Sequence, residues 1–251
     1  MSTLNEVKEL MATVDEMWSL AANRPLTTVL GKNFLIYPEV YHPDTSFDIT
    51  EFMNKEILEV VKGELAKNPE EESLNFLEVG CGAGYTSVLV ALSSQKCHVC
   101  ATDINETAVD NTIANAKMHG VDARVKVVTA DVFNHKIIAG KKFDMIYWNI
   151  PWADQHMEPG VDLDLLMRSI LDPGYQGFRR YLLNAEKFLN KTGRIFVIVS
   201  FNMGSKELFD RMVSETGWSY KICSSNIFLV EIADLQQELD VCLVEFVKHE
   251  D

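Results

Sequence analysis

Positive charge is scarce in this sequence of 251 residues. It has 23 lysines and arginines against 37 aspartates and glutamates, which gives a formal net charge of −14 at pH 7. Such a surface repels the phosphate backbone of RNA or DNA, so nucleic acid is disfavoured as a partner unless a local basic patch attracts it. Arg168, Arg179 and Arg180 are the obvious candidates for such a patch.

Cysteine is also scarce, and its pattern argues against disulfides and metal sites. Five cysteines, an odd number, do not suggest a disulfide framework and favour a reducing, cytoplasmic environment. Cys97 and Cys100 form a lone C-x-x-C motif that is expected to pack inside a strand. Zinc would need a second ligand pair, and the six scattered histidines do not supply one, so no metal is predicted.

Long apolar runs are missing as well. No run approaches the roughly 20 residues that a membrane-spanning helix requires, and Met1 to Asn5 lack the cationic start of a signal peptide. We therefore expect a soluble protein with no membrane contact.

The first 70 residues are expected to form a helical cap or lid. Apolar residues recur three or four positions apart from Thr3 to about Ala22, which predicts an amphipathic helix. An irregular stretch follows, and a second helical pattern runs from about Thr50 to Ala66. Residues 71–251 are then expected to form the catalytic domain.

From residue 71 onward, short apolar strands alternate with helical segments. The strands are predicted to start at Asn75, His98, Arg124, Phe143 and Arg194, with helices near 84–94, 105–118, 175–190 and 204–216. This alternation predicts an α/β fold with a Rossmann-like, mostly parallel sheet. The last two apolar runs, 219–233 and 240–248, leave no room for a crossover helix and are predicted to pair antiparallel at the edge.

In such a sheet, ligands bind at the carboxyl ends of the strands, so ligand-binding residues are expected in the loops that follow the strands. The first loop, "EVGCGAGY", contains Gly80, Gly82 and Gly84, which allow a tight turn and a close approach to a ligand. It departs from the dinucleotide fingerprint, because Tyr85 occupies the place of the last glycine and Glu78 precedes the first. A carboxylate there would attract an ammonium group rather than a pyrophosphate.

Two more acids follow the next two strands. Asp103 stands where one carboxylate can hold a ribose diol through paired hydrogen bonds. Asp131 stands where it could accept a hydrogen bond from an adenine amino group. Sites for an ammonium group, a ribose and an adenine together predict S-adenosyl-L-methionine (SAM) as the cofactor.

The pattern E-x-G-x-G-x-G, with Asp103 and Asp131, resembles the class I SAM-dependent methyltransferases over about residues 75–248. This resemblance implies a seven-stranded sheet whose antiparallel final strand inserts between its neighbours. Residues 102–121 and the motif "NIPW" are similar to N-methyltransferases that modify planar nitrogens, among them the release-factor glutamine N5- and adenine N6-methyltransferases. "YPEVYHPDTSF" resembles a family segment whose carboxylate-threonine pair, here Asp44 and Thr45, closes over the methionine end of SAM.

The resemblance also implies catalytic roles for Asn149, Ile150, Pro151 and Trp152. In the family motif N-P-P-Y/F, the asparagine oxygen and the carbonyl of the second residue each accept an N–H of the target nitrogen, while the aromatic residue stacks on the target. Such placement raises the reactivity of a nitrogen whose lone pair is delocalised. Ile150 replaces a proline but would act through its main chain, which Pro151 still favours in an extended conformation. Trp152 keeps a stacking face.

Tyr41, Trp148 and His156 are further candidates for substrate contact, with His156 as a conceivable proton acceptor. The sequence thus predicts a SAM-dependent N-methyltransferase that acts on a planar or amine nitrogen of a small molecule or a protein side chain. One alternative is an RNA or DNA adenine N6-methyltransferase. Another is an inactive SAM-binding protein, in which Trp148 and Ile150 mark a degraded site. A nicotinamide oxidoreductase is a weaker competitor, and any of the proposed residues could have a purely structural role.

Overall fold

The structure is a computed structural model that describes residues 19, 25–42, 47–67, 69–70, 73–154, 163–232 and 235–248. Apart from Ser19, the helix predicted from Thr3 to about Ala22 lies outside these residues. Asp44, Thr45 and His156 lie outside them too, so their predicted roles stay predictions. Within the described ranges, no helix is long and apolar enough to cross a membrane.

A hairpin opens the described structure, in a region for which the sequence predicted only irregular chain. Strands β1 (Leu26–Val29) and β2 (Lys32–Leu35) pair antiparallel. Leu30 and Gly31 connect them with φ values of 48° and 71°, as a two-residue hairpin turn requires. Leucine is an unusual residue at the first of these positions, which is why no hairpin turn was predicted there.

Seven strands form the central sheet, with helices on both faces. In chain order the main elements are α1 (Phe47–Lys67), β3 (Leu74–Val79), α2 (Tyr85–Ser93), β4 (Cys97–Asp103), α3 (Glu106–Met118), β5 (Val125–Thr129), β6 (Phe143–Asn149), α4 (Met167–Ile170), α5 (Gln176–Ala185), β7 (Leu189–Ser200), α6 (Lys206–Glu215), β8 (Trp218–Ile232) and β9 (Leu235–Lys248). Short 3₁₀ turns at Pro173–Tyr175 and Glu186–Phe188 flank α5. Every predicted strand and helix after residue 71 is present.

The strand order is β5-β4-β3-β6-β7-β9-β8. All neighbours are parallel except β9, which runs antiparallel to both β7 and β8. The predicted insertion of the final antiparallel strand between its neighbours is therefore confirmed. Cys97 and Cys100 are buried in β4, as expected.

Strand β6 shows how the sheet is covered on both faces. Its side chains alternate, because successive residues of a strand point to opposite sides. Ile146 and Trp148 join one apolar cluster, with α5 and α6, while Met145 and Tyr147 join a second, with α1 and α2. This double covering explains why the strands read as nearly continuous apolar runs.

The strand register aligns the loops that carry the predicted site. Val79 of β3 pairs with Thr102 of β4 and with Trp148 of β6. One residue further along, Gly80, Asp103 and Asn149 therefore stand in a row at the carboxyl edge of the sheet. The fold brings these three sequence-distant predictions together.

Candidate active site

The glycine loop, residues 80–84, connects β3 to α2. Gly80, Gly82 and Gly84 all have left-handed backbone conformations, with φ of 63°, 54° and 80°. A Cβ atom on Gly80 would lie 2.6 Å from Trp148 Nε1, and one on Gly84 would lie 2.6 Å from the Thr112 side chain. A Cβ on Gly82 would meet nothing within 4 Å. The outer glycines are thus required by packing, whereas Gly82 borders open space where a ligand can approach the backbone.

Asp103 lies against this loop at the end of β4. Its Oδ2 accepts a hydrogen bond from Gly82 N at 2.8 Å, and its Oδ1 accepts one from Asn105 N at 2.9 Å. A carboxylate can accept about four hydrogen bonds, so two lone pairs remain for a diol. Burial raises the pKa of this carboxyl, and the backbone hydrogen bonds oppose that change.

Glu78 lies beneath the loop and is only 4% exposed. Its Oε2 accepts hydrogen bonds from both the backbone N–H (2.9 Å) and the hydroxyl of Ser87, in the first turn of α2. Burial raises the pKa of Glu78 to about 7, although these hydrogen bonds act in the opposite direction. An approaching ammonium group would favour the ionised form, so the predicted contact with SAM is chemically reasonable and stays a prediction.

Asp131 follows β5 and is largely exposed, with its Oδ1 3.2 Å from Arg180 Nη2. The other carboxylate oxygen leaves room for the predicted contact with adenine. Arg180 belongs to the suggested basic patch but is paired with this acid, and Arg168 Nε donates to Leu163 O at 3.1 Å.

The "NIPW" motif follows β6 and contains two buried polar atoms without partners. Asn149 Oδ1 accepts no hydrogen bond, and Trp152 Nε1 donates none, within the described part of the chain. The Asn149 oxygen is therefore not used to hold its own turn, the structural role that the sequence left open. Ile150 N donates to Ile198 O at 3.3 Å, which holds the motif against β7.

Tyr175 fixes the backbone of Trp152, a role that the sequence analysis missed. The Tyr175 hydroxyl donates to Trp152 O at 2.9 Å. Tyr175 has a φ of 52°, an uncommon and costly conformation for a residue with a bulky side chain. Burial and the nearby carboxylates of Asp154 and Asp172 raise the pKa of its phenol, so it remains a donor. No sequence signal identified Tyr175, because its partner is more than twenty residues away.

Trp148 lies mostly inside the fold and is 8% exposed. Its indole contacts the backbone of Gly80, and its ring centroid is 5.5 Å from that of Tyr181. Only a small part of the ring can reach a substrate, so the structure shows chiefly a packing role. The predicted substrate contact stays a prediction.

Tyr41 lies near the end of the segment that continues from β2. We call this segment, residues 35–42, the strap. Ile36 and Val40 of the strap are buried against Ala83 of the glycine loop. Tyr41 packs beside Leu166, in the segment that follows the "NIPW" motif. The strap therefore contacts both the glycine loop and the segment that is expected to meet the substrate.

Buried amides of α3 hold the strap in place, and the sequence analysis did not identify them. Asn115 Oδ1 accepts from Leu35 N at 2.8 Å, and its Nδ2 donates to Leu35 O and to Ala83 O at 2.9 and 2.8 Å. Asn111 Oδ1 accepts from Tyr37 N at 2.8 Å. Their spacing in "NTIAN" was the available signal, because it places both amides on one face of the helix.

These residues fit SAM. The loop offers open space at Gly82, the adjoining Asp103 keeps free lone pairs, and the Glu78 carboxylate lies within the same edge of the sheet. Asn149 Oδ1 provides an unused acceptor beside them. Among the described residues, no cluster of three or more potential metal ligands is found.

Comparison with known proteins agrees with this geometry. The family described as "Methyltransferase domain" matches residues 70–244. The release factor glutamine methyltransferase of Aquifex aeolicus is 29% identical over 174 residues, which are 64% of this chain and 57% of that protein. The ribosomal protein uL3 glutamine methyltransferase of Francisella tularensis is 25% identical over 78% of this chain and 62% of that protein. This chain thus spans somewhat more than half the length of these relatives.

A solved structure supports the fold. The YcgJ protein of Bacillus subtilis matches 77% of this chain and all of its own chain, with a TM-score of 0.51 and 14% sequence identity. At this level of identity, the likeness concerns the architecture of the sheet and its helices.

Proposed function

This chain belongs to the methyltransferase-domain family of class I, SAM-dependent enzymes, and from that premise we propose that it methylates the amide nitrogen of a protein glutamine side chain. SAM is its methyl donor. Residues 71–251 are the catalytic domain, and residues 1–70 are a cap over it. The contacts of the strap with Ala83 support this division.

The buried and unpaired Asn149 Oδ1 is the observation that carries the proposal. Leaving a buried acceptor without a partner costs about 1–3 kcal/mol, so such groups are rare unless a ligand uses them. This one lies at the end of β6, in register with Gly80 of the glycine loop, which places it beside the cofactor site.

The chain's part in the reaction is to position the target nitrogen. When bound, SAM supplies a methyl group on a positively charged sulfur. Asn149 Oδ1 accepts one N–H of the target, and the Ile150 carbonyl accepts the other, which directs the nitrogen lone pair toward the cofactor site. The bond from Ile150 N to Ile198 O holds the backbone that carries these acceptors, and preorganised acceptors of this kind can supply much of a rate enhancement.

The choice of a glutamine side chain is supported by the names of the two relatives, both of which are glutamine methyltransferases. The formal charge of −14 also favours a protein partner over a nucleic acid.

Two variants test the proposal in separate steps. SAM binding is measured by calorimetry for the wild type, Asp103→Ala and Asn149→Ala, and methyl transfer is measured with radiolabelled SAM and a cell extract. Asp103→Ala should lose SAM binding, because it removes hydrogen bonds to a charged group. Asn149→Ala should keep SAM binding and lose transfer into the protein fraction by about a hundredfold or more.

Two results would reject the proposal. If Asn149→Ala transferred label within about threefold of the wild-type rate, the asparagine would not hold the nitrogen. Label that entered only the RNA fraction would instead favour the adenine alternative.

A further inference from the structure

Trp152 brings a hydrogen-bond donor into the site that tyrosine or phenylalanine could not place in the same way. Its Nε1 is buried and donates to no described residue, and the same holds for the acceptor Asn149 Oδ1. The two atoms belong to residues three positions apart, yet they do not bond to each other. The site therefore contains one unused donor and one unused acceptor.

Leaving both atoms unpaired is costly. Each buried polar group without a partner has given up hydrogen bonds to water and gained none in exchange. The Trp152 carbonyl is held by the Tyr175 hydroxyl at 2.9 Å, which fixes the backbone of this residue. A Cβ atom on Gly204 would lie only 2.3 Å from that same carbonyl, so the backbone is tightly enclosed. A ligand that pairs with both groups would recover this cost.

We propose that the Trp152 indole N–H is a specificity determinant that donates a hydrogen bond to the carbonyl oxygen of a primary carboxamide, while Asn149 Oδ1 accepts from its NH₂ group. This inference rests on the proposed function and assigns it a residue that reads the carbonyl half of the substrate. Indole nitrogen is only a donor, and a carboxamide oxygen is only an acceptor, so the two groups match.

This arrangement discriminates between nitrogen substrates. A lysine amine or a small alkylamine is a donor only when protonated, and when neutral it must direct its one lone pair at the methyl group, so in either form it would leave Trp152 Nε1 buried and unpaired. A site built to hydrogen-bond a polar group of its substrate strongly rejects analogues that lack this group, because the site is then left with an unpaired buried atom. Adenine carries a ring nitrogen beside its amino group and could satisfy both atoms, but the negative charge of the chain disfavours its nucleic acid.

The inference also changes the expected contact with Trp152. The indole N–H lies in the plane of the ring, so a substrate bound through it meets the edge of the ring rather than its face. Both unpaired atoms are covered in this structure, and the backbone of Trp152 is fixed.

Nuclear magnetic resonance of the indole N–H groups tests the inference without needing the natural substrate. The full chain has four tryptophans, and Trp152→Phe assigns the relevant signal by its loss. Wild-type protein saturated with S-adenosylhomocysteine is titrated with propionamide and with propylamine, each into the high millimolar range, because such small ligands bind weakly. Trp218 is the internal control, since its Nε1 already donates to Leu182 O at 3.0 Å.

Propionamide should shift the Trp152 indole proton downfield and leave that of Trp218 unchanged. Propylamine should have no such effect, and Asn149→Ala should weaken the response to propionamide. Two results overturn the inference: no shift with propionamide, or an equal shift with propylamine. This outcome is independent of methyl transfer, so a failure here would leave the proposed function standing.

A second measurement distinguishes a hydrogen bond from the indole N–H of Trp152 from stacking on the face of its ring. Trp152→Phe keeps a stacking surface and removes the N–H. If the N–H binds the carbonyl, this variant should keep wild-type SAM affinity and lose at least about tenfold in transfer of label to protein. Wild-type transfer by Trp152→Phe would overturn the inference in favour of stacking.

Discussion

Gly82 and Gly84 have the same left-handed backbone but different surroundings, so their substitution should have different effects. Alanine strains either backbone by about 1–2 kcal/mol. Gly84→Ala would also place its Cβ 2.6 Å from Thr112 and should lower the free energy of unfolding further. Gly82→Ala should fold with the smaller loss and bind SAM more weakly, because its methyl group enters open space beside Asp103.

Urea unfolding and calorimetric titration with SAM measure the two effects. If Gly82→Ala bound SAM as tightly as the wild type, the open space would not belong to the cofactor.

Glu78 should make the stability of the fold depend on pH. Its pKa is raised from 4.5 to about 7 in the folded state, mainly by burial, so the folded protein binds the proton more tightly than the unfolded chain. The contribution of Glu78 to the free energy of unfolding is fully present below the pKa that Glu78 has in the unfolded chain. This contribution is lost as pH rises through about 7. Between about pH 5 and about pH 8, the free energy of unfolding of the wild type should fall by about 2 kcal/mol more than that of Glu78→Gln.

Urea unfolding of both proteins at the two pH values checks this expectation. Equal losses would mean that Glu78 titrates normally. If Glu78 also binds the ammonium group of SAM, wild-type affinity for SAM should rise as pH increases through about 7, and Glu78→Gln should show no such rise.

At the level of single residues, the sequence pointed to Asp103, Glu78 and Asn149 because short motifs place them directly after strands. Their roles toward ligands stay predictions. Tyr175 and the free indole N–H of Trp152 could not be inferred, because both depend on which atoms the tertiary structure leaves without a partner.

Helix α3 holds the strap through two amides, and one of them also bonds the glycine loop. Asn115 bonds both Leu35 and Ala83, whereas Asn111 bonds the strap alone. Either change to alanine should lower the free energy of unfolding by about 1–3 kcal/mol, because buried backbone groups lose partners. Only Asn115→Ala should also weaken SAM binding, since Ala83 belongs to the loop.

Asn111→Ala is the matched control in this experiment, and calorimetry with SAM is the measurement. Equal SAM affinity in the two variants would show that the amide of Asn115 does not support the loop.

Helices and strands in which apolar residues recur at regular spacing were predicted well. Helices α2, α3, α5 and α6 and the strands of the central sheet were all indicated by their alternation, whereas the four-residue helix α4 was not predicted. The β1–β2 hairpin was missed, because each strand has four residues and Leu30 hides the turn. Strand β7 begins at Leu189 rather than near Arg194, since its first residues are half-exposed and lack an apolar run.

Across the whole molecule, an ion cluster joins elements far from the site. Arg194 of β7 forms two hydrogen bonds with Glu245 of β9, at 2.7 and 2.8 Å, and reaches Glu64 of α1 at 3.3 Å. Glu245 also accepts from Lys221 of β8, at 3.1 Å. The cluster lies about 13 Å along β7 from the level of Asn149, as four residues of a strand imply.

Removal of this cluster should weaken the fold without changing the site. Glu245→Gln should lower the free energy of unfolding by about 2 kcal/mol, because the partly buried Arg194 loses the nearer of its two carboxylate partners and keeps only Glu64. Glu59→Gln, which breaks an exposed pair with Lys62, is the control and should change little. Urea unfolding and SAM calorimetry check both, and weaker SAM binding by Glu245→Gln would contradict the separation.

The position of β9 has a consequence for biosynthesis. A nascent chain leaves the ribosomal exit tunnel from its amino end, so β8 emerges before β9, the strand that must fit between β8 and β7. Until Lys248 has left the tunnel, β7 has no neighbour on that side, and β8 lacks β9, its only partner strand in the described part of the chain. Chaperones that shield unpaired strands would therefore act on this protein late in its synthesis.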